Sequence, residues 1–201
     1  MSVLLTASLS ATLPLSAASH VDVVKMRTEN RVNPLGIGTS TPRFSWQITS
    51  DRKGVVQTSY QILVASSKEK LDRNEADLWD SGERNSDEQL WIPYQGKALL
   101  SGAQAYWKVR ITTNKGKSEW TEPQLFTIGL LGETKWSGTW IGLEDLQPGE
   151  QKGMHTRLAA RYIRKDFATK GKVKRAVAYV AGLGVYEFYV NGQRMGGSQA
   201  L

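Results

Sequence analysis

After residue 20, apolar positions recur almost everywhere with a period of two. Phe44, Trp46 and Ile48 alternate with Ser45, Gln47 and Thr49, the pattern of a strand buried on one face. Tyr60, Ile62 and Val64 repeat it within residues 57–66, and Leu90, Ile92 and Tyr94 repeat it again. The longest run is Trp107, Val109 and Ile111, which predicts that Lys108 and Arg110 face water. Asn114 to Lys117 reads as a turn, and Leu125 to Ile128 as the returning strand. One short helix fits, from Ser67 as cap to Ala76, and a loop with one helical turn fits equally. Leu78 to Gly82 reads as a short strand running into a turn.

About seven strands between Val21 and Ile128 predict a sandwich of the immunoglobulin or fibronectin type. Trp46 and Trp107 are its expected core. A tyrosine corner at Tyr106 is not expected, because the inward position in that register is Ala105. Residues 129–142 read as a linker that contains Trp136 and Trp140 on either side of Gly138, and Glu144 to Thr156 as a polar loop. Period two then resumes at Tyr162–Phe167, at Val173–Val180 and at Tyr186, Phe188 and Val190. Asn191-Gly192 is the strongest hairpin signal in the chain, since both central residues of such a turn take positive φ. Four strands fall short of the roughly eight of a jelly roll. The expected organisation is therefore all-β: a fibronectin type III-like sandwich over 20–128, then over 143–201 the truncated start of a jelly-roll (galactose-binding-like) sandwich.

Composition narrows the chemistry. The 201 residues include no cysteine and two histidines, His20 and His155. This excludes disulfides, thiolate metal sites and cysteine nucleophiles, and neither histidine has a second ligand at zinc spacing. The net charge of +7 is concentrated late: residues 1–150 hold 16 basic against 17 acidic residues, and residues 151–201 hold 10 against 2. These late charges alternate with apolar residues, as on a solvated sheet face, so no nucleic-acid partner is expected. Met1 to Ser19 is uncharged, with leucines among small residues and Ala17-Ala18 near its end. It reads as the apolar core and cleavage region of a signal peptide lacking its basic start. It is too short and polar for a membrane span, so an exported protein, periplasmic or extracellular, without a membrane partner is expected.

No catalytic, cofactor or metal residue emerges. Asp87-Glu88 and Glu144-Asp145 are adjacent carboxylates, which in a strand point to opposite faces and cannot flank one bond. Trp79, Trp91 and Trp120 are candidate stacking surfaces. Trp91, between inward Leu90 and Ile92, is predicted to face outward. Trp91, Tyr186 and Tyr189 are the candidate sugar- or domain-contact residues.

The stretch Glu29-Asn30-Arg31-Val32-Asn33-Pro34-Leu35-Gly36-Ile37, followed by Pro42-Arg43-Phe44-Ser45-Trp46, resembles the N-terminal region of bacterial α-L-rhamnosidases of glycoside hydrolase family 78. The resemblance continues through residues 57–66, 78–82, 106–110, 135–142, 161–167 and 182–192, in order. It implies a fibronectin-like domain, then a jelly-roll accessory domain, then a helical barrel that hydrolyses terminal α-L-rhamnosides with inversion. Nothing in residues 1–201 resembles the barrel motifs. The resemblance implies a non-catalytic portion without a cofactor, whose partners are the enzyme's own catalytic domain and rhamnose-containing glycans. A stand-alone carbohydrate-binding or fibronectin-type interaction module is the alternative.

Overall fold

The computed structural model describes residues 21–132, 136–143, 146, 148–151, 153 and 159–196. The expected signal peptide, both histidines and the Glu144-Asp145 pair lie outside the described residues. The chain divides into two compact units, residues 1–139 and 140–201.

The first unit is a two-layer β-sandwich. One sheet has the order β1-β2-β5, from Val21–Thr28, Arg43–Ser50 and Ile92–Pro93. The other joins β4 (Trp79–Asp80), β3 (Gln57–Ala65), β6 (Gln104–Thr113) and β7 (Gly116–Lys117), with β8 (Gln124–Thr127) also paired to β6. All these pairings are antiparallel. The alternation read from sequence fixes the faces: Phe44 and Trp46 meet Ile62, Val64, Trp107, Val109, Ile111 and Phe126 in one core. The Phe44 ring sits 4.4 Å from Trp107 and 5.8 Å from Phe126. Trp46 also donates its indole N–H to Gln57 Oε1 at 3.0 Å, which satisfies a polar atom that burial would otherwise strand. Tyr94 is buried, and its hydroxyl donates to the Lys97 carbonyl at 2.7 Å. Burial pushes its pKa up to about 12. Gly96 is needed beside it, because a Cβ there would meet the Leu78 carbonyl and the Tyr94 hydroxyl.

Helix α1 is one turn, Lys68–Asp72, with Ser67 as its N-cap. It covers the outer face of the larger sheet, where Leu63, Ala65 and Leu71 form a second small cluster. This overturns the expectation for Lys108. It is 5% exposed, and its ammonium donates to the Leu71 carbonyl and to Asn74 Oδ1. Alternation gave the correct face, but that face is roofed by the helix rather than open to water. Arg110 lies half-buried over the Trp120 ring, 4.4 Å from its centre.

In the second unit, Phe188–Val190 (β9) and Gln193–Met195 (β10) form an antiparallel hairpin. Asn191 and Gly192 take φ of 50° and 78°, as the two-residue turn requires. The strands expected at Tyr162–Phe167 and Val173–Val180 are not formed. Tyr162 is 95% and Phe167 77% exposed. An alternating segment becomes a strand only beside another that takes up its backbone N–H and C=O groups, and no described residue of this unit does so.

Candidate functional site

The opening motif does two jobs, both set by its backbone. Asn33 Oδ1 accepts the Leu125 N–H at 2.9 Å, and the Pro34 carbonyl accepts that of Thr127 at 3.0 Å. Gly36 N–H reaches Thr127 Oγ1, and Ile37 pairs in parallel with Ile128. The segment after β1 is thereby stitched to β8 of the opposite sheet. At the other end, Glu29 and Asn30 are held at φ of 48° and 62°. This turns the Glu29 carboxylate back onto the start of β2. Its Oε1 accepts the Arg43 backbone N–H and Nε, and its Oε2 accepts Nη2 at 2.8 Å. The Arg43 side chain, more than burial opposes it, holds the Glu29 carboxyl below its ordinary pKa.

Arg43, fixed in that fork, lies over Trp91 with its guanidinium carbon 4.1 Å from the ring centre. Trp91 is 42% exposed, as expected, although for a different reason. Its φ is 60°, a left-handed conformation strained for a bulky side chain, and its N–H is anchored on Ser45 Oγ at 3.0 Å. That twist breaks the alternation, so Leu90, expected inward, is 65% exposed while Ile92 is buried.

Beside this cluster a cleft of about 460 Å³ is lined by Gln47, Ile48, Val55, Val56, Gln57, Asp87 and Gln89. Gln57 supports it from below: its amide nitrogen donates to the carbonyls of Ser86 and Glu88, at 3.0 and 2.9 Å. Arg43 and Gln47 are exposed on the face of β2 opposite Phe44 and Trp46, with Ser45 buried between them. The 87–91 segment lies against that strand through Trp46 N–H to the Gln89 carbonyl and Trp91 N–H to Ser45.

The other candidates fall elsewhere. Trp79 packs against the core, 5.4 Å from Tyr94 and 6.3 Å from Phe44. Trp120 is covered by Lys108 and Arg110. Tyr186 and Tyr189 are exposed in the second unit. Tyr186 lies against Gly182, where a Cβ would strike its ring, and its hydroxyl donates to the Val180 carbonyl. Tyr189 donates to Glu187, which also pairs with Arg194, and that hydrogen bond raises the tyrosine's pKa. Sequence reasoning missed the Glu29–Arg43 pair that sets a guanidinium over Trp91, and missed Gln47 and Gln89 as lining of the cleft. The only signal was that Glu29 and Arg43 both sit in the one highly distinctive motif. Among the described residues no group of three His, Cys, Asp or Glu side chains could hold a metal ion. Among them, too, no helix is long and apolar enough to cross a membrane.

What the geometry defines is an immunoglobulin-class β-sandwich carrying a fixed aromatic and polar patch on one face. Residues 23–132 match the family described as Rha78A-like, N-terminal immunoglobulin domain, and the chain belongs to that family. Residues 171–200 match the α-L-rhamnosidase N-terminal domain. A curated α-L-rhamnosidase of Formosa agariphila is 35% identical over 193 residues, covering 89% of this chain and 20% of its own length. One from Streptomyces avermitilis is 39% identical over 124 residues, covering 61% and 12%. The crystal structure of Streptomyces avermitilis α-L-rhamnosidase complexed with L-rhamnose superposes with a TM-score of 0.58 at 36% identity, covering 61% of this chain and 12% of that one. The α-L-rhamnosidase from Dictyoglumus thermophilum gives 0.58 at 32% identity, covering 65% and 15%. The chain thus spans about one fifth or less of the relatives it matches.

Proposed function

We propose that this chain is the non-catalytic N-terminal portion of an exported α-L-rhamnosidase, an inverting glycoside hydrolase acting on terminal α-L-rhamnosides. Its sandwich positions the catalytic domain, which is its principal partner, and rhamnose-containing glycans are the substrate of the whole enzyme. One observation carries this reading: two rhamnosidase N-terminal families match in order along the chain, which spans about a fifth of the enzymes it resembles. Inversion needs two carboxyl groups roughly 6.5–9.5 Å apart around a water, and that pair belongs to the catalytic domain. The purified 201-residue chain is expected to release no nitrophenol from an aryl α-L-rhamnoside, while the whole enzyme does. Turnover by the chain alone would overturn the non-catalytic assignment. Export is tested separately, by finding the mature N-terminus near His20 in protein recovered from the periplasm or medium.

A further inference from the structure

We propose that the outward face of β2 and the 87–91 segment form a saccharide-binding surface for a neutral oligosaccharide. One sugar ring stacks on Trp91, and hydroxyls are held by Arg43, Gln47, Gln89 and Asp87. The assignment goes beyond the role above, because it needs neither a catalytic domain nor hydrolysis.

Three features carry it. The first is arrangement. Arg43 and Gln47 lie on one face of β2, four residues and about 13 Å apart at the rise of a strand. Asp87, Gln89 and Trp91 follow the same line, because two backbone donors fasten that segment to the strand. The exposed indole at one end and the cleft at the other therefore make a track long enough for a chain of sugars rather than a single ring.

The second feature is chemistry. A pyranose offers apolar C–H faces and a fan of hydroxyls, each both donor and acceptor. A flat aromatic ring beside planar amide, guanidinium and carboxylate groups complements both. Two glutamine amides supply donors and acceptors at one end, in a cleft also lined by Val55 and Val56. At the other, Arg43 gives Nε and Nη2 to Glu29, and Nη1 has no protein partner among the described residues. Charge decides between ligand classes. Glu29 neutralises Arg43, and the cleft adds the carboxylate of Asp87, so the track has nothing to attract a phosphate backbone or another polyanion.

The third is rigidity. Trp91 is held by its anchored backbone N–H, and its indole by the guanidinium on one face. The segment bearing Asp87 and Gln89 is held from within by Gln57. A site fixed before the ligand arrives loses less entropy on binding.

The test is a titration of the full 201-residue chain with a panel of neutral plant-polysaccharide oligomers and with free L-rhamnose, read by tryptophan fluorescence and amide NMR shifts. The expected result is saturable binding of at least one oligomer, with shifts grouped at residues 43–47 and 87–91. Affinity should fall about tenfold or more in Trp91→Ala, fall less in Gln89→Ala and Gln47→Ala, and recover in Trp91→Tyr. Thermal melts establish that each variant is folded, and the two glutamine variants keep the proposal falsifiable if Trp91→Ala is not. No saturable binding across the panel would sink it, as would unchanged affinity in folded Trp91→Ala or shifts confined to Tyr186 and Tyr189. Protection of Trp91 from a soluble quencher in the full-length enzyme without sugar would overturn it in favour of a domain contact. None of these outcomes bears on whether the whole enzyme hydrolyses rhamnosides.

Discussion

Gln57 shows how much one polar side chain inside a β-sandwich can control. It is 2% exposed, yet every bond it makes is spoken for: one to the Trp46 indole and two to the 86–88 backbone. Replacing it with leucine leaves a buried N–H and two carbonyls without partners. Gln57→Leu is expected to cost about 2–3 kcal/mol in urea unfolding and to speed amide exchange across residues 86–91. Phe44→Ala, which removes the ring at the centre of the aromatic group, should cost more, about 3–5 kcal/mol. The sequence made Trp46 and Trp107 readable as core, because alternation reports which face a residue takes. It could not report what covers that face, so Lys108 was misplaced. Nor could it reveal Gln57, whose polar name disguises a core residue.

At the scale of elements, short pieces are secured by specific polar groups. The Ser67 hydroxyl accepts the Lys70 N–H at the start of α1, and Ser67→Ala is expected to cost about 1 kcal/mol, seen as a lower urea midpoint. Just beyond the helix, Asp77 accepts from Ser66 N–H, Ser66 Oγ and Lys70. Burial works against its ionisation, but these donors outweigh it and hold the carboxyl at about 2. A carboxyl whose pKa is depressed on folding contributes its full stability above its ordinary pKa of about 4, and loses it as pH falls through the folded value. The stability gap between wild type and Asp77→Asn should therefore be constant near neutrality and close between about pH 4 and pH 2, as measured by pH-dependent melts. The 29–37 motif was legible as a family mark. Its mechanical role was not, because the partners of Asn33 and Gly36 lie 92 and 91 residues away, and no local pattern encodes such pairings.

The whole molecule contains two units. The first has a closed core; among its described residues, the second has one hairpin and exposed apolar side chains, including Leu183 and Val185. Residues 161–175 carry seven lysines and arginines without strand pairing among the described residues. Trypsin should cut there well before it enters residues 21–132, and mass spectrometry of a timed digest would show the sandwich persisting. Comparable survival of both units would contradict this. The sequence read the Asn191-Gly192 hairpin correctly, since its turn is specified by two adjacent residues. It overread residues 162–180, because alternation is a necessary mark of a strand and says nothing about whether a neighbour is present.

The left-handed tryptophan has a consequence for anyone engineering this fold. Holding a bulky side chain there costs about 1–2 kcal/mol, and asparagine adopts that conformation more easily. A thermostability screen blind to ligands would accordingly favour Trp91→Asn, since an exposed ring stacked under a guanidinium returns little. Heat resistance would then be gained by erasing the aromatic platform at Trp91. Selection for robustness and selection for recognition would pull this position in opposite directions.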